Sequence, residues 1–61
     1  MNGLVEFCGS FDYFSIYRLG TTYLLFRHGL FFSLHYSYDS ALSEAVDWCA
    51  DDYYSSLIYR P

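Results

Sequence analysis

Residues 30–53, LFFSLHYSYDSALSEAVDWCADDY, contain the change of hydrophobic period that decides the fold. In residues 30–38, large apolar side chains alternate with other residues, which predicts a β-strand with one buried face. The residues expected on the buried face are Leu30, Phe32, Leu34, Tyr36 and Tyr38. Those expected on the outward face are Phe31, Ser33, His35 and Ser37. This segment is the clearest strand of the chain.

From Asp39 onward the apolar residues recur every three or four positions, as they do on one face of an α-helix. The predicted apolar stripe consists of Leu42, Ala45, Val46, Cys49, Ala50 and Tyr53. Asp39 or Ser40 is suited to cap the N-terminus of this helix. No Gly or Pro lies between Asp39 and Pro61 to end the helix, so residues 54–60 are compatible with either a helix or an extended tail.

Two further segments, residues 11–19 and 22–28, are rich in aromatic, β-branched and other apolar residues and predict strands. Gly20-Thr21 separates them and suits a tight hairpin turn. His28-Gly29 supplies a second turn before the strand at residues 30–38. These segments predict a three-stranded antiparallel meander.

Residues 4–8 are compatible with a fourth strand, placed before a break at Gly9-Ser10. A sheet with one apolar face and a helix with one apolar stripe cover each other. The sequence therefore predicts a two-layer α+β fold, in which a three- or four-stranded antiparallel meander carries one C-terminal amphipathic helix on one face.

The composition indicates a single small domain that folds and that leaves part of its apolar surface exposed. The chain has 61 residues, of which 54% are hydrophobic and 25% aromatic. A disordered acidic segment is poor in aromatic residues, so this chain is expected to fold. One small core cannot enclose so many large rings, and exposed aromatic residues usually mark an interface. We therefore expect a protein partner or a homodimer.

The charge balance argues against direct binding to nucleic acid. Three Lys and Arg residues against seven Asp and Glu residues give a formal net charge of −4, whereas proteins that bind phosphate backbones rely on Lys and Arg. A partner protein with a basic surface fits better. The N-terminal residues lack the pattern of a secretory signal, and no apolar run is long enough to span a membrane. The expected location is the cytoplasm, which would be the host cytoplasm if the chain is phage-encoded.

The predicted helix carries a negative face that stability alone does not explain. At roughly 100° per residue, five side chains lie opposite the apolar stripe, namely Glu44, Asp47, Trp48, Asp51 and Asp52. No Lys or Arg relieves the repulsion among these carboxylates, and the helix dipole disfavours Asp51 and Asp52 near the C-terminal end. A solvated helix face is the alternative interpretation. We predict that these residues bind a partner.

From Glu44 to Asp51 the helix rises roughly 10 Å, or about three phosphate steps along one nucleic-acid strand. The chain resembles small phage-encoded inhibitors of host defence systems, including anti-CRISPR and anti-restriction proteins, in its short length, its acidity and its surface aromatic residues. The resemblance is one of composition, and no motif carries over a residue. It implies a non-enzymatic inhibitor that mimics nucleic acid on a basic nucleic-acid-binding surface of a host protein complex. The alternative is a homo-oligomeric structural or regulatory module whose exposed aromatics form the subunit interface.

The outward face of the strand at residues 30–38 is a second candidate surface, represented by Phe31 and His35. A metal site is not expected, because the spacings of Cys8, His28, His35 and Cys49 match no zinc-binding pattern. Both cysteines are expected to be reduced thiols, and Cys49 falls on the predicted apolar stripe, where a catalytic thiolate would be buried. The sequence predicts no cofactor and no enzymatic activity.

Overall fold

The structure is a computed structural model that describes the backbone of residues 4–58 and the side chains of residues 4–53. Its elements are β1 (Val5–Phe11), β2 (Phe14–Leu19), β3 (Thr22–Arg27), β4 (Leu30–His35) and α1 (Tyr38–Ile58). The strands form one antiparallel sheet in the order β1-β2-β3-β4, and α1 packs on one face of it. The predicted two-layer α+β meander is confirmed, in its four-stranded form.

Three two-residue turns connect the strands, and each contains a residue in the left-handed region. The turns are Asp12-Tyr13, Gly20-Thr21 and His28-Gly29. Positive φ values at the turn match the right-handed twist of the flanking strands; at His28 and Gly29 they are 52° and 81°. The predicted turns at Gly20-Thr21 and His28-Gly29 are confirmed.

The predicted break at Gly9-Ser10 is wrong, because β1 continues through these residues to Phe11. A register shift between Phe7 and Gly9 leaves Cys8 as the extra residue of a bulge, and Gly9 itself pairs with Ile16. Gly9 also lies under the ring of Tyr38, and a Cβ atom there would be 2.5 Å from the Tyr38 hydroxyl oxygen. The glycine therefore allows a close approach of the helix N-terminus rather than a chain reversal.

A second bulge reverses the predicted faces of β4. Leu25 pairs with Ser33 but Phe26 pairs with Phe31, which leaves Phe32 as the extra residue. Because one inserted residue inverts the alternation beyond it, Ser33 and His35 face α1 while Leu34 faces away. The predicted buried face is therefore wrong at Leu34, and also at Leu30 and Tyr36, which are 73% and 79% exposed at the two ends of the strand. Phe32 and Tyr38, which are also predicted on the buried face, are half-buried against the core.

The helix faces the sheet through a stripe that is rotated relative to the predicted one. Ala41 and Ala45 are fully buried, whereas Val46 is 39% exposed and Ala50 and Tyr53 are exposed. The two alanines let α1 approach the fully buried side chains of the sheet, which are Phe14, Ile16 and Leu25. Leu42 and Cys49 are half-buried against this core, as predicted.

The helix begins earlier than predicted because Ser37 is its N-cap. The Ser40 amide donates to Ser37 Oγ at 3.1 Å, and the Ala41 amide donates to the Ser37 carbonyl at 3.3 Å. The prediction of Asp39 or Ser40 as the cap is therefore wrong. At the other end α1 continues to Ile58, and residues 59–61 lie outside the described part of the chain. Among the described residues, no helix is long and apolar enough to cross a membrane.

The rotated stripe predicts effects of different size for the same substitution at two alanines of α1. Ala45→Leu should lower the free energy of unfolding by about 1–3 kcal/mol, because it overpacks the contact between helix and sheet. The control Ala50→Leu lies on the exposed side and should change it by less than about 0.5 kcal/mol. Urea unfolding followed by circular dichroism measures both. Equal effects would contradict the phase of the helix.

Candidate functional site

The outer face of the sheet carries a row of four aromatic rings, one from each strand: Phe7, Tyr17, Phe26 and Phe31. Successive ring centroids are 5.5, 5.2 and 5.9 Å apart, and the interplanar angles are 68°, 74° and 79°. These are edge-to-face contacts, the geometry that aromatic pairs prefer. The register explains the row, because Phe7 pairs with Tyr17 and Phe26 pairs with Phe31, while Tyr17 and Phe26 are diagonal neighbours. We call this row the aromatic ladder.

The ladder lies in an apolar surface that α1 does not cover. Phe7 and Phe31 are 61% and 58% exposed. Around them the exposed apolar side chains of the same face are Val5, Leu19 and Leu34. None of the side chains that the strand register places on this face is charged. The face includes a depression of about 210 Å³ lined in part by Tyr17 and Phe26, which is smaller than typical small-molecule pockets.

The structure places the two residues of the second candidate surface on opposite faces of the sheet. Phe31 lies on the outer face, but His35 lies on the face that α1 covers, and its side chain is only 14% exposed. The bulge at Phe32 is the physical reason, because it inverts the alternation after that residue. The placement of His35 on an outward face is therefore wrong.

The predicted acidic helix face is also divided, and two of its carboxylates turn toward the sheet. Glu44 Oε1 accepts hydrogen bonds from Ser33 Oγ at 2.5 Å and His35 Nε2 at 2.6 Å. Asp52 accepts a hydrogen bond from the Tyr13 hydroxyl, which raises the pKa of Tyr13. These contacts follow from the rotation of the helix, because the sheet-facing stripe runs through Ala41 and Ala45.

The remaining three predicted residues stay together on the surface. Asp47, Trp48 and Asp51 line an open depression of about 280 Å³. Neither aspartate has a hydrogen-bond or ion-pair partner among the described residues. Trp48 is 39% exposed, and its Nε1 donates to Glu44 Oε2 at 3.4 Å. The structure therefore leaves a smaller acidic site, with two carboxylates beside one indole ring.

Trp48 also belongs to a cluster that surrounds Arg27. The Arg27 Cζ atom lies 5.6 Å from the ring centroid of Tyr13 and 5.7 Å from those of Phe32 and Trp48, within the range of cation–π attraction. Asp52 Oδ2 is 3.7 Å from the guanidinium. Arg18, the other arginine of the described residues, is paired with Glu6 across β1 and β2, and this hydrogen bond raises the Arg18 pKa. Both described arginines are thus occupied by internal partners.

A polar cluster fastens the N-terminal half of α1 to β4. His35 Nε2 lies 2.6 Å from Glu44 Oε1, and His35 Nδ1 lies 2.8 Å from Ser40 Oγ. Hydrogen bonds from Ser33, above all, and from His35 and Trp48 lower the pKa of Glu44 and keep it ionised. Sequence reasoning missed this cluster, because its members belong to two elements and their spacing matches no motif.

Among the described residues, no three His, Cys, Asp or Glu side chains are placed to hold a metal ion. Cys8 is exposed and Cys49 half-buried, and both thiols are free. Comparisons with protein-family models, curated proteins and solved structures find no match for this chain. Any function must therefore be argued from the surfaces themselves.

The lowered pKa of Glu44 predicts a specific loss of stability in acid. The unfolded chain has the ordinary glutamate pKa of about 4.3, so the stabilisation is complete above that value and is lost as pH falls through the lowered folded-state pKa. Between about pH 7 and pH 3 the wild type should lose more unfolding free energy than Glu44→Gln does. Denaturant unfolding at both pH values measures this difference. The control Asp47→Asn, which removes a surface carboxylate, should keep the wild-type response, and an equal flattening in both variants would contradict the assignment.

Proposed function

We propose that this chain is a non-enzymatic binding module that associates with a second copy of itself through the outer face of its sheet. The observation that carries the proposal is the aromatic ladder, Phe7–Tyr17–Phe26–Phe31, on a face that the helix leaves uncovered. Contiguous apolar surface of this kind, rather than single exposed side chains, marks an interaction site on a protein of this size.

The area of the face is adequate for a reversible dimer. Four strands about 4.8 Å apart, each about six residues long at about 3.3 Å per residue, give a projected area of about 400 Å². Two such faces would bury about 800 Å² in total, which is the size range of weak, reversible association and below that of standard stable interfaces. Association should therefore depend on concentration.

The chemistry of the face favours an identical partner. It carries no charge with which to select a partner of opposite sign. In a two-fold dimer each ladder would meet the same ladder, so apolar surface would be matched by apolar surface. Two sheets packed about 10 Å apart would form a sandwich. Both helices would then lie on the outside, with Asp47, Trp48 and Asp51 accessible on each.

A charge placed on the ladder should prevent this association. Phe31→Lys would bring cations into the interface, and we expect it to yield a monomer while the wild type is a concentration-dependent dimer. Sedimentation velocity over a concentration series measures the equilibrium. The matched control is Tyr36→Lys, because Tyr36 is 79% exposed and follows the end of β4, and it should remain dimeric. A wild-type chain that stays monomeric up to its solubility limit would contradict the proposal.

The acidic site gives a second candidate function, binding of a protein with a basic surface. Its support is the depression lined by Asp47, Trp48 and Asp51, where an arginine or lysine of a partner would meet two carboxylates and an aromatic ring. A nucleic-acid-binding surface of a host complex is one such partner, as expected for a phage or mobile-element inhibitor in the cytoplasm. Because Glu44 and Asp52 bond to the sheet, the acidic row available for mimicry of a phosphate backbone is shorter than predicted.

This second function can be tested with an immobilised arginine-rich peptide as the basic probe. The double variant Asp47→Asn with Asp51→Asn should weaken binding at least tenfold, because loss of interfacial charge pairs typically costs a few kcal/mol. The control double variant Asp12→Asn with Asp39→Asn removes the same total charge elsewhere on the surface. Similar losses in the two would show that only net charge matters, and would contradict a local site.

A further inference from the structure

The polar cluster between β4 and α1 includes the hydroxyl of Ser40, the imidazole of His35 and the carboxylate of Glu44. His35 Nε2 lies 2.6 Å from Glu44 Oε1 and 3.0 Å from Ser33 Oγ, and because a carboxylate only accepts hydrogen bonds, the tautomer of a neutral His35 ring that fits this contact has its proton on Nε2. In that tautomer Nδ1 carries the free electron pair and can accept a hydrogen bond from Ser40 Oγ, which lies 2.8 Å away. A hydroxyl, an imidazole base and a carboxylate that orients the base are thus in contact in sequence, which is the arrangement of an activated nucleophile.

The surroundings of each group suit this order. The His35 side chain is 14% exposed and that of Glu44 30%, while Ser40 is exposed. Ser33 Oγ and Trp48 Nε1 also donate to Glu44, so its carboxylate is held in place from three directions. The base and its orienting group are therefore fixed, and the hydroxyl is accessible from solvent.

Ser40 also lies in the first turn of α1, where amide groups lack helical acceptors. Its own amide donates to Ser37 Oγ, but the amides of Tyr38 and Asp39 belong to the same turn and have no acceptor within the helix. Amide donors near a nucleophile can stabilise the negative oxygen that forms when a carbonyl is attacked. The helix dipole acts in the same direction.

We propose that Ser40 is an acyl-acceptor site, at which His35 acts as general base and Glu44 as a positioning residue. The donor class is an activated ester or thioester with a small acyl group, since the two depressions described above do not include Ser40. The proposal does not rest on self-association, because Ser40 and His35 lie on the helix side of the sheet.

The reaction balances without an oxidant or reductant. Ser40 Oγ attacks the carbonyl carbon, and its proton passes to His35 Nδ1. The resulting imidazolium is stabilised by the Glu44 carboxylate. The bond between the carbonyl carbon and the leaving oxygen or sulfur then breaks, and the leaving group takes the proton from His35. The products are O-acyl-Ser40 and a free alcohol or thiol.

The test compares two serines of α1 in the intact chain. Treatment with p-nitrophenyl acetate, followed by peptide fragmentation and mass spectrometry, gives the acetylation rate at each residue and separates it from acetylation of the exposed Cys8. Ser43 is the internal control, since it is an exposed serine one turn from Ser40. General-base assistance typically contributes 10²–10⁴-fold, so Ser40 should react at least about tenfold faster than Ser43.

Two variants then assign the roles. His35→Gln should reduce the Ser40 rate to near that of Ser43, and Glu44→Gln should reduce it while leaving Ser43 unchanged. Circular dichroism checks that each variant is folded. Equal rates at Ser40 and Ser43 in the wild type would overturn the proposal whether or not the variants fold. An unchanged Ser40 rate in folded His35→Gln would also overturn it.

Discussion

The packing of Ala41 and Ala45 against Phe14, Ile16 and Leu25 is the contact on which both layers depend, because these side chains are fully buried while most others are not. So small a core stabilises a domain only marginally. It also has room for one helix, which covers one side of the sheet. Among the described residues, the other side of the sheet is left uncovered because the topology places the helix on the first side.

Polar groups complete the boundary of this core. Toward the N-terminal half of α1, Glu44 bonds to Ser33 and His35 of β4. Toward its C-terminal half, Asp52 contacts Tyr13 and Arg27. Apolar contact between alanines and a sheet allows the helix to rotate and slide. Directional polar contacts at two places along the helix prevent this motion. The carboxylates of Glu44 and Asp52 therefore fix the orientation of the helix. At Glu44 this role is compatible with the reactivity proposed for Ser40.

How much of this arrangement the sequence predicts depends on the scale considered. Element types, the antiparallel meander and two of the three turns follow from periodicity and from Gly20 and Gly29. The faces of β4 do not, because a bulge at Phe32 changes the register without changing the alternation of residue types. The phase of α1 does not follow either, since the two fully buried residues among the helix side chains that the structure describes are alanines, which indicate a face only weakly. The displaced site residues, His35, Glu44 and Asp52, are the ones that these two shifts affect.

Arg18 and Arg27 are each paired with a carboxylate of the same chain, and this pairing shapes the electrostatic field around the molecule. With both described cations paired to carboxylates and a formal net charge of −4, two copies repel each other at distances beyond contact. Added salt screens that repulsion over a Debye length of about 10 Å at 0.1 M, and it equally screens the attraction of a basic partner. Ionic strength should therefore favour association through the sheet while it weakens binding at the helix. Ionic strength would thus act in opposite directions on the two proposed binding surfaces.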